Sequence, residues 1–212
     1  MNTPKFVFPP RAEYKTDPDR IHIYDNGQYF GQPKLNGSAC VVHLHESGER
    51  HVWNRHGQRL SLIDYGKVEL NPLHRGQGWI TLCGELLNKN KKGEDGQPFN
   101  QKFCIWDILM LDGKSLEGTT VIQRVELISH LYSPKQEQPL KHLIEIDKAE
   151  NCFVIPSYEN KFVELYEELI KVDVYEGLVL KLKAGKLQPG LNEKNNAQWQ
   201  VKARKPTRNY DF

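Results

Sequence analysis

Three features of the 212-residue sequence predict an α+β fold built on largely antiparallel sheets. Two alternating segments, Cys40 to His45 and Arg50 to Arg55, flank the turn Glu46-Ser47-Gly48-Glu49, which is the pattern of a hairpin. Two longer apolar runs, Trp79 to Leu87 and Phe103 to Leu111, read as strands covered on both faces. Two further stretches repeat apolar residues at helical spacing. These are Val121, Val125, Ile128 and Leu131 within Thr119 to Tyr132, and Phe162, Leu165, Tyr166, Leu169 and Ile170 within Lys161 to Val172.

Taken from the N-terminus, residues 1 to 31 are rich in Pro, Asp, Gly and Tyr with little periodicity, an irregular lead-in wrapped on the domain. Gln32-Pro33-Lys34-Leu35-Asn36-Gly37-Ser38 follows, a lysine between a proline and an Asn-Gly pair that tolerates positive φ. The hairpin ends in Trp53-Asn54-Arg55-His56-Gly57, which places an arginine beside a glycine turn. The apolar runs are each broken by one carboxylate, Glu85 in the first and Asp107 in the second. Between them, Asn88 to Gln101 is a charged, glycine-containing loop without a core, either a disordered excursion or a contact loop. After the first helix come a short strand, Cys152 to Pro156, and the second helix. Two strands close the chain, Glu176 to Lys181 and Ala197 to Arg204. In the last, a period of two puts Gln200, Lys202 and Arg204 on one face and Trp199, Val201 and Ala203 on the other.

The length suits one domain, 1–212, with a proper core. Cys40, Cys83, Cys104 and Cys152 are widely spaced in apolar runs and read as buried free thiols of a reducing compartment. His43, His45 and His51 lack the neighbouring Cys, Asp or Glu that would complete a metal-ligand set, so they are expected on a polar outer face. Nothing resembles a signal peptide or a membrane-spanning run, and a cytoplasmic protein without membrane contact is expected. Net charge is only +2, but Lys183, Lys186, Lys194, Lys202, Arg204 and Lys205 face a single Glu193 in the basic stretch that runs to Arg208. That stretch is either a solubilising tail or a nucleic-acid contact.

Lys34 is the candidate nucleophile, with a solvated turn lysine as the competing reading. Moving a lysine from ~10.4 to near 7 means disfavouring its charged form by roughly 4 to 5 kcal/mol. Only desolvation and neighbouring cations can do this. A carboxylate late in a buried strand, such as Glu85, is costly unless it is paired or binds something, which favours a functional role. Arg55, at the far end of the hairpin that Lys34 begins, could reach back over the same pocket.

Taken in order, these segments resemble the nucleotidyltransferase domain of the ATP-dependent ligases and capping enzymes. Lys34-Leu35-Asn36-Gly37 is similar to the family's lysine motif, K-x-D/N/H-G. Arg55 before His56-Gly57 looks like the next motif, and Leu82-Cys83-Gly84-Glu85 like the third. Trp106-Asp107 resembles the aromatic-Asp segment, and its Asp112-Gly113-Lys114-Ser115-Leu116 continuation with Gln123-Arg124 is closest to DNA ligases. Glu176-Gly177-Leu178-Val179-Leu180-Lys181 is similar to the fourth motif, and Trp199-Gln200-Val201-Lys202-Ala203-Arg204 to the fifth. Six motifs in order, over about residues 30 to 205, are far more specific than any one of them.

The resemblance implies an ATP-grasp-like nucleotidyltransferase domain and a reaction in which Lys34 attacks the α-phosphorus of ATP to give lysyl-AMP. By the same resemblance Lys181, Lys202 and Arg204 gather round the α-phosphate and poise Lys34, while Arg55 and Glu85 hold ribose hydroxyls or phosphate. Trp106 stacks on adenine, Gln32 meets the adenine edge and Glu176 helps to bind Mg²⁺, with Mn²⁺ as a substitute. AMP then passes to the 5′-phosphate of a nicked duplex, DNA ahead of RNA, and the 3′-OH displaces it. Lys183, Lys186, Arg204, Lys205 and Arg208 would contact the nucleic-acid backbone. Three departures stand out: Asn36 and Ala39 where DNA ligases place Asp and Arg, Arg204 for a second lysine, and an end at Phe212 where the family's OB-fold domain would begin. The implied protein is a monomeric, minimal, ATP-dependent rather than NAD⁺-dependent ligase of a virus or mobile element, or one whose clamp a partner protein supplies. A non-catalytic nucleotide- or nucleic-acid-binding domain is the alternative.

Overall fold

The computed structural model describes residues 3–61, 68–195 and 198–206. Two sheets face one another. The smaller has four strands in the order β1 (Tyr14–Lys15), β11 (Gln200–Arg204), β10 (Tyr175–Leu182), β2 (Tyr29–Leu35). The larger has seven: β4 (Arg50–Asn54), β3 (Ser38–His45), β5 (Trp79–Leu87), β6 (Lys102–Leu111), β9 (Cys152–Val154) and β8 (Ile144–Glu145), with β7 (Lys114–Ser115) paired to β6. Pairing is antiparallel except for β1 with β11 and β6 with β9. The predicted α+β class and the largely antiparallel sheets are therefore present, and the two apolar runs form β5 and β6 almost to the residue.

Alternation along β5 explains its unbroken apolar character. Ile80, Leu82 and Leu86 enter one core cluster with Cys40, Val42, Ile108 and Ile128, under α1 (Val121–Leu131). Leu87, on the opposite face, enters a second cluster with Leu35, Cys104, Phe162, Leu178 and Ala203, where the two sheets and α2 (Phe162–Leu169) meet. All four cysteines are buried and unpaired.

β6 departs from strict alternation. Ile105 and Ile108 are three residues apart yet share one cluster, because the register of β6 against β5 shifts between Cys83 and Gly84. A bulge of this kind re-aims side chains, and here it turns both Trp106 and Asp107 away from that cluster. Asp107 meets Arg124 of α1, whose Nε and Nη2 lie 2.7 and 3.2 Å from the two carboxylate oxygens, with Arg124 only 1% exposed. The buried stripe of α1 is thus Val121, Arg124 and Ile128, and its start is fixed by a capping box between Thr120 and Gln123.

Other expectations are revised. The lead-in is less irregular than its composition suggests: Tyr14–Lys15 joins β11 as an edge strand, Pro18–Tyr24 is a 3₁₀ helix, and β2 starts at Tyr29. Proline at the start of that helix lacks only a donor the first turn leaves unused, and Ile21 anchors it at 0% exposure. Loop 88–101 is a contact loop with an anchor: Phe99 is buried edge-on to Phe153, and Glu94 accepts from Lys141 N, His142 N and Tyr175 Oη. His43 is not on an outer face. It is fully buried beside Thr81 Oγ1 at 2.8 Å, in a cavity that lead-in residues Lys5, Val7 and Phe8 help to line. Burial lowers its pKa to about 4 and keeps it neutral.

Removing one partner from a buried ion pair leaves the other charge stranded. Arg124→Leu is expected to lower the unfolding free energy by about 3–5 kcal/mol, read from urea denaturation, whereas Asp107→Leu combined with Arg124→Met should recover most of that loss.

Candidate active site

The chain passes from the small sheet to the large one at Asn36-Gly37, between β2 and β3, and the cleft between the sheets opens at this point. Gly37 approaches β5 so closely that a Cβ there would lie 2.6 Å from Leu86 O. Close packing, not positive φ, is therefore what requires glycine. Its N–H donates to Glu85 Oε1 at 3.0 Å.

Strand geometry brings the remaining groups into this cleft. On β11 the predicted face holds: Gln200, Lys202 and Arg204 line the cleft, while Trp199 and Ala203 are buried elsewhere. On β10 the lining residues Glu176, Val179 and Lys181 are not evenly spaced. A register shift between Tyr175 and Gly177 inserts Glu176 as an extra residue, and Gly177 pairs with Lys34 on one side and Arg204 on the other. Gly177 has φ +140 and sits where a Cβ would lie 2.1 Å from Ala203 O. The bulge delivers the Glu176 carboxylate between the two cations. Lys34 Nζ donates directly to Glu176 Oε2, and Arg204 Nε lies 3.5 Å from the same oxygen.

The other predicted residues divide into those that face this carboxylate and those that do not. Lys202 Nζ donates to Ala12 O at 2.6 Å, and burial, Arg204 and then Lys34 lower its pKa. Lys181 is 3% exposed and turned toward β6, where its Nζ donates to Trp106 O at 3.0 Å and lies 5.1 Å from the Trp106 ring centroid. Burial lowers Lys181 to about 8, with Asp107 opposing and Arg124 reinforcing the shift. Gln32 is buried and donates to Ser157 Oγ at 2.9 Å. Arg55 lies exposed at the rim with its Nε 3.0 Å from His56 Nε2. Glu85 is raised to about 7, by burial first, with Lys34 and the Gly37 N–H pulling the other way.

All nine residues predicted to touch nucleotide or metal thus line one cleft. Sequence reasoning missed its fourth wall. Pro9, Pro10, Arg11 and Ala12 line it too, and Arg11 is tied to Glu193, which also accepts from His56 at 3.0 Å. No local pattern marks these lead-in residues, since their placement follows from β1 pairing with β11. The described residues assigned to a basic arm are engaged at separate places. Lys183 lies over Phe30 and 3.7 Å from Glu159, the backbone of Lys186 bridges to Thr120, and Lys205 Nζ reaches Val172 O. Arg208 lies outside the described residues.

Comparison with solved structures decides the fold. The ligase domain from M. tuberculosis LigD superposes with a TM-score of 0.64 at 19% identity, over 93% of this chain and 59% of that one. The fold is that of a DNA-ligase nucleotidyltransferase domain. A mycobacterial DNA ligase D complexed with ATP and MES gives 0.62 at 17% identity, covering 93% and 60% of the two chains. The ATP-dependent DNA ligase from bacteriophage T7, complexed with ATP, gives 0.52 at 12%, covering 93% and 68%. The chain thus spans about three-fifths of the length of the LigD chains it matches. No family profile and no curated protein matches it. Among the described residues no helix is long and apolar enough to cross a membrane.

The raised Glu85 gives the nucleotidyltransferase fold a pH signature. Between its ordinary 4.5 and about 7 the folded chain holds a proton there that the unfolded chain has lost, so this group's contribution to stability falls as pH rises through that window. Glu85→Gln, which cannot titrate, should gain on wild type in urea midpoint between about pH 5 and about pH 7.5. A difference that does not change with pH would contradict the assignment.

Proposed function

We propose that this chain is the catalytic module of an ATP-dependent polynucleotide ligase that self-adenylylates on Lys34, transfers AMP to a 5′-phosphate at a nick and lets the 3′-OH displace it. The observation that carries this reading is the convergence of Lys34, Glu176, Lys202 and Arg204 at the cleft between the two sheets of a ligase fold. Two of the similar structures hold ATP, which supports the choice of nucleotide.

In the first step Lys34 Nζ forms a bond to the α-phosphorus and the bond to pyrophosphate breaks, so a hard joining reaction becomes several easier ones. For attack the Lys34 amine must leave Glu176 and give up its proton. Lys202 and Arg204, on the face opposite β2 across Gly177, would stabilise the charge that develops on the phosphate. Lys181, held against Trp106, would fix the indole face for a base as well as add charge. Glu85, with its carboxylate already turned to the cleft by the Gly37 N–H, would accept from a ribose hydroxyl. Mg²⁺ supplies charge compensation for phosphate oxygens when bound. Glu176, which lines the cleft with Glu85, would hold it, because Mg²⁺ keeps water ligands and needs only one or two carboxylates beside substrate phosphates.

DNA is the preferred strand by resemblance to the ligases above. Ala39 pairs with Glu85 across β3 and β5 and lines the cleft where a DNA ligase would carry arginine, an observation that favours RNA-containing ends as the second substrate. Intact-mass measurement after incubation with ATP and Mg²⁺ is expected to show one AMP added to wild type and none to Lys34→Ala. An equal adduct on that variant, or none on wild type, would leave a non-catalytic binding domain. Ranking the products from nicked duplexes with DNA or RNA on either side of the nick then assigns the strand.

A further inference from the structure

Several lysines outside the C-terminal stretch lie near the Glu176 end of β10, beside Lys205. Loop 88–101 folds back onto the turn that precedes β10. Val174 N donates to Lys92 O at 3.0 Å, while Asn36 N, beside Lys34, donates to Val174 O at 2.9 Å. Two successive bonds of strand spacing put the Asn36 and Lys92 backbones on the order of 10 Å apart. From the other side, Lys205 N donates to Glu176 O at 2.8 Å and Lys205 Nζ to Val172 O at 3.4 Å. Lys171 is exposed at the foot of α2, one residue before Val172. Five lysines, 89, 91, 92, 171 and 205, therefore border the end of the cleft where Lys34 and Glu176 sit.

Their charge is poorly balanced. Asp173 takes Lys91 Nζ at 3.1 Å and the Lys92 N–H at 3.2 Å. Burial pushes this carboxylate up, but these two bonds and the charges of Lys91 and Lys205 hold it below its ordinary value. Glu168 on α2 is engaged by Lys141 and His142, and Glu94 by Tyr175 and two backbone N–H groups. Among the described residues, no carboxylate lies within 4.0 Å of the Lys89, Lys92, Lys171 or Lys205 ammonium. At the opposite end of β10, Lys183 is seven residues from Glu176, roughly 20 Å away at the rise of a strand, and has Glu159 nearby.

We infer that Lys89, Lys92, Lys171 and Lys205 form a track for the phosphodiester backbone of the nicked duplex, leading to Lys34 from the loop 88–101 side. The inference rests on the ligase reading for the identity of its partner. Ammonium groups without a carboxylate partner suit sequence-independent phosphate contacts, each releasing counterions. The track would lay the duplex across the cleft mouth at Asn36 rather than along the Lys183–Lys186 edge.

The test compares the triple variant Lys89→Ala, Lys92→Ala, Lys171→Ala with the far-edge pair Lys183→Ala, Lys186→Ala. Self-adenylylation is read by intact mass, and binding to a fluorescent nicked DNA duplex by anisotropy from about 50 to about 200 mM salt. The triple variant is expected to adenylylate within about twofold of wild type, to bind at least about tenfold more weakly at low salt, and to lose about 2 to 3 from the magnitude of the log–log salt slope. The far-edge pair should move binding less. Wild-type affinity and slope in the triple variant, an equal loss in the pair, or no duplex binding by wild type would overturn the track. A wild type that binds through the track but forms no lysyl-AMP would instead overturn the ligase reading alone.

Discussion

The approach of Gly37 to β5 is the constraint on which the rest of the cleft depends. A chain that must leave one sheet and enter another carries its backbone across an apolar interior, where every N–H needs a partner. Here the Gly37 N–H finds Glu85, and the absence of a side chain lets the crossing lie against Leu86. Lys34 and Glu85, from different sheets, are thereby brought to one cleft, and the charge of Lys34 acts on Glu85. A bulkier residue at this position would part the sheets and the site together.

Electrostatics then sort the cations by depth. Lys181 lies deepest and loses basicity to burial, and the field around it is set by the Asp107–Arg124 pair behind β6. Lys202 is shallower and interacts with Arg204 and Lys34. Arg55 stands at the rim. Charge is thus graded from the buried wall at Lys181 to the exposed rim at Arg55. The lead-in closes the remaining side, with Ala12 O receiving Lys202 and Arg11 bound to Glu193 across the opening.

Much of this was legible because strand periodicity is a local property. The apolar runs marked β5 and β6, and alternation on β11 placed Lys202 and Arg204 on the side that proves to be the cleft. What alternation could not show were the bulges. The extra residue in β10 and the β6 shift opposite Cys83 and Gly84 change the side on which Glu176 and Trp106 emerge, and a register shift depends on the partner strand. Arg124 was visible as a letter beside Gln123, but its role was not, since a buried arginine is tolerated only opposite a carboxylate supplied by another element. Nor could composition show that residues 9–12 wall the cleft, since a parallel edge pairing with β11 puts them there.

The sequence by itself determined the class of fold and the order of the main strands and helices after Gln32, which follow from pattern and side-chain chemistry. Only the tertiary structure decided how the charged residues are engaged. Lys34 sits against Glu176 rather than among cations alone, Lys181 turns to Trp106, and the basic residues divide between two ends of β10. The physical reason is common to all three. The partner of a charged side chain is chosen by sheet register and by which segments fold over the strand, and these are set by contacts between residues far apart in the chain.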